Sequence, residues 1–218
     1  MSSPSNAALI RTLGGVAALS GLLIVLVVEW TAPIIEQNRK EAIARAIFQV
    51  VPGAVSNQPY LLTDKLTLDD GTVSEGERVY AAYGEDNQLM GIALATEGQG
   101  YQDVIQILYG YNPACQCITG MKVLKHAETP GLGDLILKDP PFLANFEALD
   151  VSLNATGDGI ANPVNAVKNG TKQNPWEIDS ISGATVSSVA IGKMIRLHTV
   201  KILPKLYPLS DAIKERTP

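Results

Sequence analysis

DSISGAT, Asp179 to Thr185, runs directly into VSSVAIGKMIRLHTVKILPKL, Val186 to Leu206. Apolar residues recur in the second stretch at helical spacing, so it reads as a helix that Pro204 interrupts or ends. The first stretch is what leads into it. Gly183 permits a tight backbone turn, and Ser182 and Thr185 supply hydroxyls. The first turn of a helix carries N–H groups without intrahelical partners and the positive end of a dipole, which suits a phosphate. The same residues also suit a Ser/Thr N-cap after a glycine turn, and residue chemistry alone leaves both readings open.

Moving outward, KHAETPGLGD (Lys125 to Asp134) holds a second glycine-rich segment. Pro130 fixes the chain there, while Gly131 and Gly133 expose backbone N–H groups that can lie against a ring or phosphate. An ordinary Pro-Gly turn has the same composition. Upstream the chain reads as β-structure. Arg78 to Tyr83 and Leu89 to Thr96 flank the turn segment GEDNQ, and Asp103 to Tyr109 and Ile118 to His126 flank YNPACQ. Between these hairpins EGQGY (Glu97 to Tyr101) has two glycines that let backbone approach a ligand closely. Ser56 to Gly76 reads as irregular with room for one short strand. Leu143 to Asn174 gives no clear assignment.

The N-terminal part differs in kind. Thr12 to Val28 is a 17-residue run without charge, bracketed by Arg11 and Glu29. At about 1.5 Å per residue it spans roughly 26 Å, and Ala7 to Ile10 with Trp30 extend it at the interfaces. Gly14, Gly15 and Gly21 are compatible with a membrane helix. A cleaved signal peptide needs a basic start and a small-residue cleavage site, and VVEWTAPII has no A-x-A-like site. An uncleaved anchor is the expectation. Arg11 on one side and a near-neutral flank on the other predict a cytoplasmic N-terminus and an exported body. Thr31 reads as the N-cap of a following amphipathic helix, with Pro33 in its first turn and Pro52-Gly53 as its stop. The organisation is then an anchor over 1–30, a linking helix over 31–53 and an α+β domain with an antiparallel sheet over 54–218.

The motif D-x-x-S-G-A-T resembles the flavinylation motif of the FMN-binding domain family, shared by the Rnf electron-transfer complex and the sodium-translocating NADH:quinone reductase. E-T-P-G-L-G resembles that family's flavin-side loop, in the same chain order. The resemblance covers roughly residues 78 to 195 and, through the anchor, most of the chain. It implies FMN bound covalently as a phosphoester on Thr185, installed by a flavin transferase. It implies a cofactor site drawing on Ser182, Gly183, Ala184 and Val186, on Glu128, Thr129, Gly131 and Leu132, and on Gly100 and Tyr101. No catalytic residue and no metal ligand is expected. Asp134 directly after the loop favours the G subunit of the Rnf type, which couples ferredoxin/NAD electron transfer to ion translocation. The implied partners are the other membrane, iron–sulfur and flavin subunits, together with membrane lipid, at a bacterial cytoplasmic membrane. The C subunit of the quinone reductase, or an exported FMN-domain protein that docks or signals outside a fixed complex, are the alternatives.

Composition removes other classes. The 218 residues are 46% hydrophobic and 18% charged, with net charge −5, so a nucleic-acid partner is not expected. Two His and two Cys allow no zinc-type spacing, and no nucleotide fingerprint or iron–sulfur ligand set is present. Cys115 and Cys117 depart from the family. Because alternate strand residues point to opposite faces, they read as a thiol pair in a loop rather than a bond. His126 ends a strand beside the ETPGLG loop, where a bland polar role is favoured over flavin contact. His198 reads as a solvated helix residue among Lys193, Arg196 and Lys201. Asn154-Ala-Thr and Asn169-Gly-Thr match the glycosylation acceptor pattern, which is short enough to arise by chance.

Overall fold

Which helix lies on which face of the sheet is decided by the size of alternating strand residues. The structure is a computed structural model describing residues 5–69 and 76–216. Strands β1 (Ser56–Leu62), β2 (Leu66–Leu68), β3 (Glu77–Tyr83), β4 (Leu89–Gln99), β5 (Val104–Asn112), β6 (Cys117–Lys125) and β7 (Leu149–Asp150) form one antiparallel sheet. Its order is β2-β1-β3-β4-β5-β6-β7. Large residues of β3, β4 and β5, among them Val79, Tyr83, Ile92, Leu94, Ile107 and Tyr109, point to one side. There they bury Ile191, Ile195, Ile202 and Leu206 of the last helix, α3 (Thr185–Leu209). The opposite face carries Ala82, Ala93 and Leu108, packed on Ala46, Ile47, Val50 and Val51. The first three of those four belong to the end of helix α1 (Asn6–Val50).

Two glycines make that second contact possible. A Cβ on Gly110 would stand 2.1 Å from the Val50 carbonyl oxygen, and one on Gly120 2.9 Å from Val50 Cα. Backbone therefore packs on backbone, and the Thr119 hydroxyl donates to the Val50 carbonyl at 2.8 Å, satisfying a helix-end acceptor.

Helix α1 runs without interruption through Thr31, which corrects the expected break there. The Thr31 hydroxyl bonds backwards, to the carbonyls of Val27 at 2.8 Å and Val28 at 3.3 Å, instead of capping a new helix. Residues such as Leu13, Leu22 and Val25 stand exposed along the apolar run. The helix is long and apolar enough to cross a membrane. By compactness the chain divides into Met1–Ala42 and Ile43–Pro218, a boundary inside the helix.

Further expectations change. Pro204 and Pro208 both lie inside α3, because buried Leu203 and Leu206 hold that segment on the sheet despite the lost backbone bonds. EGQGY is not a link between two separate hairpins. Its first residues extend β4, Gly98 pairs with Ile105, and the Gly100 N–H closes the β4–β5 turn onto the Asp103 carbonyl at 2.9 Å. Cys115 and Cys117 are joined as a disulfide with Cα atoms 5.2 Å apart. Gln116 between them takes a positive φ of 50°, so the pair does not alternate as it would in a regular strand. Helix α2 (Pro140–Ala144), which ends just inside the region without a clear sequence assignment, starts at Asp139, whose carboxylate accepts the Phe142 N–H. A parallel pair, β8 (Asn165–Val167) and β9 (Glu177–Asp179), leads the chain to α3. Of Ser56 to Gly76, two segments form β1 and β2, while 70–75 lie outside the described residues.

Candidate functional site

The start of α3 is set by what precedes it. Asp179 accepts the Gly170 N–H with both carboxylate oxygens, at 2.7 and 3.0 Å, and its own N–H donates to Asn145 Oδ1 at 3.0 Å. Asn145 is buried and also receives Lys172 Nζ at 3.0 Å. Asn169 Nδ2 donates to the Ser180 carbonyl at 2.9 Å. The first residue of the DSISGAT motif thus anchors a neighbouring loop and leaves its last residues to form the site.

The chain then turns at Ser182 and Gly183, where glycine takes a φ of 86°, a conformation that strains L side chains. Ala184 is the N-cap of α3 and offers no side-chain oxygen. The helix start is held instead by Ser188, which accepts the Ile181 N–H at 3.1 Å and donates to the Ala184 carbonyl at 2.9 Å. Thr185 is the first helical residue, not the cap, and it is exposed. Of the two readings of its hydroxyl, the N-cap one is not realised.

A cleft of about 350 Å³ opens at this helix start. It is lined by Gly183, Ala184, Thr185 and Val186, by Thr129 and Leu132 of the ETPGLG loop, and by Tyr101. Tyr101 is 65% exposed, Val186 55% and Leu132 52%, so large apolar surfaces face each other around an open slot. Such a slot accepts a flat ring on apolar walls, with a phosphate at the uncapped helix start.

Glu128 holds the three segments together. It is 3% exposed. Its Oε1 accepts the N–H groups of Tyr101 at 2.9 Å and Gln102 at 3.1 Å, and its Oε2 accepts the Ser187 hydroxyl of α3. Glycine is required on both sides: a Cβ on Gly100 would lie 2.5 Å from Oε1, and one on Gly133 2.7 Å from Oε2. Across the outer rim Gln102 Nε2 donates to Thr129 Oγ1 at 3.3 Å. Gly131 donates its N–H to Asp134 Oδ1 at 2.7 Å. The Lys138 ammonium at 2.8 Å, then that N–H, keep the Asp134 carboxyl below its ordinary range.

Of the residues singled out from sequence, Thr185, Ala184, Gly183, Val186, Thr129, Leu132, Tyr101 and Glu128 meet at the cleft. Ser182 lies in the adjoining turn, Gly100 behind Tyr101 against Glu128, and Gly131 at the exposed tip of its loop. Ser187 and Asn145 escaped notice in the sequence. Ser187 had a signal, its place in the first turn of a helix, but its partner is 59 residues upstream. His126 accepts the Glu128 N–H on Nδ1 at 3.2 Å, a local polar role. His198 is not on a solvated face. Its Nδ1 pairs with the buried Tyr109 hydroxyl at 2.7 Å and its Nε2 with Glu77 at 3.3 Å. The His198 bond holds the Glu77 carboxyl below its ordinary value.

Both the sequence and the fold recur in known proteins. The profile of a family described as FMN-binding domain matches residues 100–197. In Methanosarcina acetivorans, the G subunit of an ion-translocating oxidoreductase complex is 30% identical over 182 residues, covering 84% of this chain and 86% of that one. Proteins with the same description from Shewanella piezotolerans and Pseudomonas aeruginosa are each 28% identical, covering 86% and 93% of this chain and 85% and 87% of theirs. Among solved structures, NqrC of Shewanella oneidensis shares the fold with a TM-score of 0.64 at 18% identity, over 81% of this chain and 99% of that one. The C subunit of the Na(+)-translocating NADH-quinone reductase from Parabacteroides distasonis gives 0.58 at 19% identity, over 83% and 96%.

Proposed function

The chain belongs to the family of ion-translocating oxidoreductase complex G subunits, and from that premise we propose that it carries FMN as a phosphoester on Thr185 and passes electrons between partners of an Rnf-type complex. The observation that carries the proposal is the position of Thr185. It is the first residue of a helix whose cap contributes no side-chain oxygen, at the mouth of a cleft with apolar walls. The site fits the group. The helix start offers N–H groups to a phosphate, Thr185 is an exposed residue whose hydroxyl makes only a long contact of 3.5 Å to the Ile181 carbonyl, and Tyr101, Leu132 and Val186 can bracket a ring. Bound there, FMN supplies the exchange between two-electron and one-electron carriers.

The chain's own residues do the rest. Glu128 ties the Tyr101 turn and the ETPGLG loop to α3, so the walls keep their spacing whatever the redox state. Thr185 gives up its hydroxyl proton when the ester forms and thereafter is an attachment point with no part in electron transfer. A flavin transferase would act on the Thr185 hydroxyl at the mouth of the cleft, freeing it from its 3.5 Å contact with the Ile181 carbonyl. Sequence relatives described as G subunits at 28–30% identity favour the Rnf type over the quinone-reductase C subunit, which shares the fold at 18–19%.

The body, in this proposal, faces the outer side of the cytoplasmic membrane. Arg11 before the apolar run supports it, and so does the Cys115–Cys117 disulfide, which persists in oxidising compartments. Electrons must then cross the membrane to reach this flavin.

Protein made in a host with the flavin transferase tests the tether. After denaturation and acid precipitation it should stay yellow, with the FMN mass on the peptide containing Thr185. Thr185→Val should lose the flavin and keep the fold. Flavin still covalently bound to Thr185→Val would overturn the assignment.

A further inference from the structure

Helix α3 has an outward face that the tether does not use. Residues Thr185–Leu209 include Lys193, Arg196, Lys201 and Lys205 and no acidic residue, in a chain of net charge −5. The helical period places Val186, Val189, Lys193, Leu197 and Val200 in one row, with Arg196 beside it. All are exposed: Val186 55%, Val189 44%, Leu197 61% and Val200 44%, with Lys193 and Arg196 in the same class. Single exposed apolar residues are ordinary on a surface, but a row along one helix flanked by cations is a patch.

The row begins at the cleft, which Val186 lines. It continues beside a second hollow of about 380 Å³ bounded by Gly98, Ala190, Met194 and Leu197. Two acidic residues lie on the adjoining strands, Glu97 in the lining of that hollow with Lys193, and Glu77, and neither forms an ion pair with Lys193 or Arg196. Glu97 accepts from Gln106 Nε2 at 2.7 Å, and Glu77 pairs with His198. Among the described residues neither Lys193 nor Arg196 forms an ion pair. The positive charge is therefore available to something outside the chain.

Building on the FMN reading above, we propose that this face of α3 docks an acidic, partly apolar surface of the protein that exchanges electrons with the flavin. Charge complementarity selects an acidic partner, and the row of Val and Leu supplies the dry centre of a contact. A lipid surface is the other occupant of like charge. It carries no electrons, and the row lacks the Trp and Tyr that anchor at membrane interfaces. Docking here brings a carrier up to the cleft from the side where α3 begins.

The test uses the full chain expressed with its complex and purified in mild detergent. Lys193→Glu with Arg196→Glu should lower the amount of chain recovered with the other subunits by about tenfold, since two attractions become repulsions. Covalent FMN content should not change. Reversing two cations elsewhere, Lys65→Glu with Lys122→Glu, should leave recovery unchanged. Equal recovery of the α3 double variant and the unmodified chain overturns the proposal, as does an equal loss in the control. Reconstituted through its anchor into vesicles with or without phosphatidylglycerol, the unmodified chain separates the lipid reading: if Lys193 and Arg196 become protected from an amine- or guanidine-reactive reagent only with the anionic lipid, and the α3 variant keeps its subunits, the face is a lipid face and the proposal fails. Thr185→Val keeps failure of the tether distinct. Lacking flavin, it should still be recovered with the complex, because docking depends on the α3 side chains.

Discussion

Removing the Glu128 carboxylate should loosen the cleft more than it destabilises any other part of the molecule. Glu128→Ala strips an acceptor from the N–H groups of Tyr101 and Gln102 and from the Ser187 hydroxyl. Hydrogen bonds to a charged group contribute about 1.5–3 kcal/mol each. Tyr101 and Gln102 are exposed, so water can recover most of what their N–H groups lose. Ser187 is 2% exposed, and its hydroxyl keeps its desolvation penalty. The expected loss is about 3–4 kcal/mol for Glu128→Ala. Glu128→Gln keeps one oxygen for the two N–H groups and lets Ser187 turn and accept, so about 1–2 kcal/mol is expected. Urea unfolding of the full chain in detergent measures the totals. Amide hydrogen exchange at Tyr101 and Gln102 reports the local effect, with Ser187→Ala in a double-mutant cycle giving the coupling. A Glu128→Ala protein within about 1 kcal/mol of the unmodified one, with those two amides as protected as before, would refute the reasoning.

The remaining expectations address other parts of the chain. Gly110→Ala sets a Cβ against the fixed Val50 carbonyl and should lower stability by about 2–4 kcal/mol; unchanged thermal unfolding would rule out the close seat described for α1. Glu77 has a folded-state pKa depressed below 4.5, so its contribution is present above that value and disappears as pH falls through the folded value. Acid unfolding of His198→Ala should accordingly show a shallower pH dependence below pH 4.5 than the unmodified chain, and identical slopes would remove His198 as the cause. With Cys115 and Cys117 replaced by Ser, a single Cys at exposed Glu85 or Asp86 should react with an impermeant maleimide in intact cells, or in spheroplasts where an outer membrane intervenes. Labelling only after lysis of the cytoplasmic membrane would place the body inside.

Short-range signals in the sequence were sufficient for much of this. The β3–β4 and β5–β6 hairpins followed from alternation and turn composition, and the apolar run from Thr12 to Val28 from length and lack of charge. The segments that line the cleft were legible because D-x-x-S-G-A-T and E-T-P-G-L-G resemble motifs of the FMN-binding domain family; their glycine, proline and hydroxyl content alone also suited an N-cap and an ordinary turn. Relations between distant residues were not legible. Nothing near Glu128 indicates that Ser187 completes its shell, and nothing near Asn145 indicates that it fixes Asp179. His198 looked solvated because its sequence neighbours are cationic, whereas Tyr109 and Glu77 come to it from the sheet. Thr31 and Pro204 misled for a shared reason: local propensity marked a helix end. At Pro204 burial of the flanking residues kept the helix going, and at Thr31 a backward hydroxyl bond left it uninterrupted. The disulfide escaped because strand alternation does not hold where Gln116 adopts a left-handed backbone.

The way α1 ends on glycine has a bearing on where the chain can be severed. Its last turns supply Ala46, Ile47 and Val50 to a buried cluster, and the Val50 carbonyl is met by Thr119. A protease acting between residues 31 and 42 would release the body with this layer intact. A cut a few residues later would unroof Ala82, Ala93 and Leu108 and leave an apolar sheet face open to aggregation. Shedding and fragment design alike therefore tolerate a window that closes at about Ile43, several residues before the helix does.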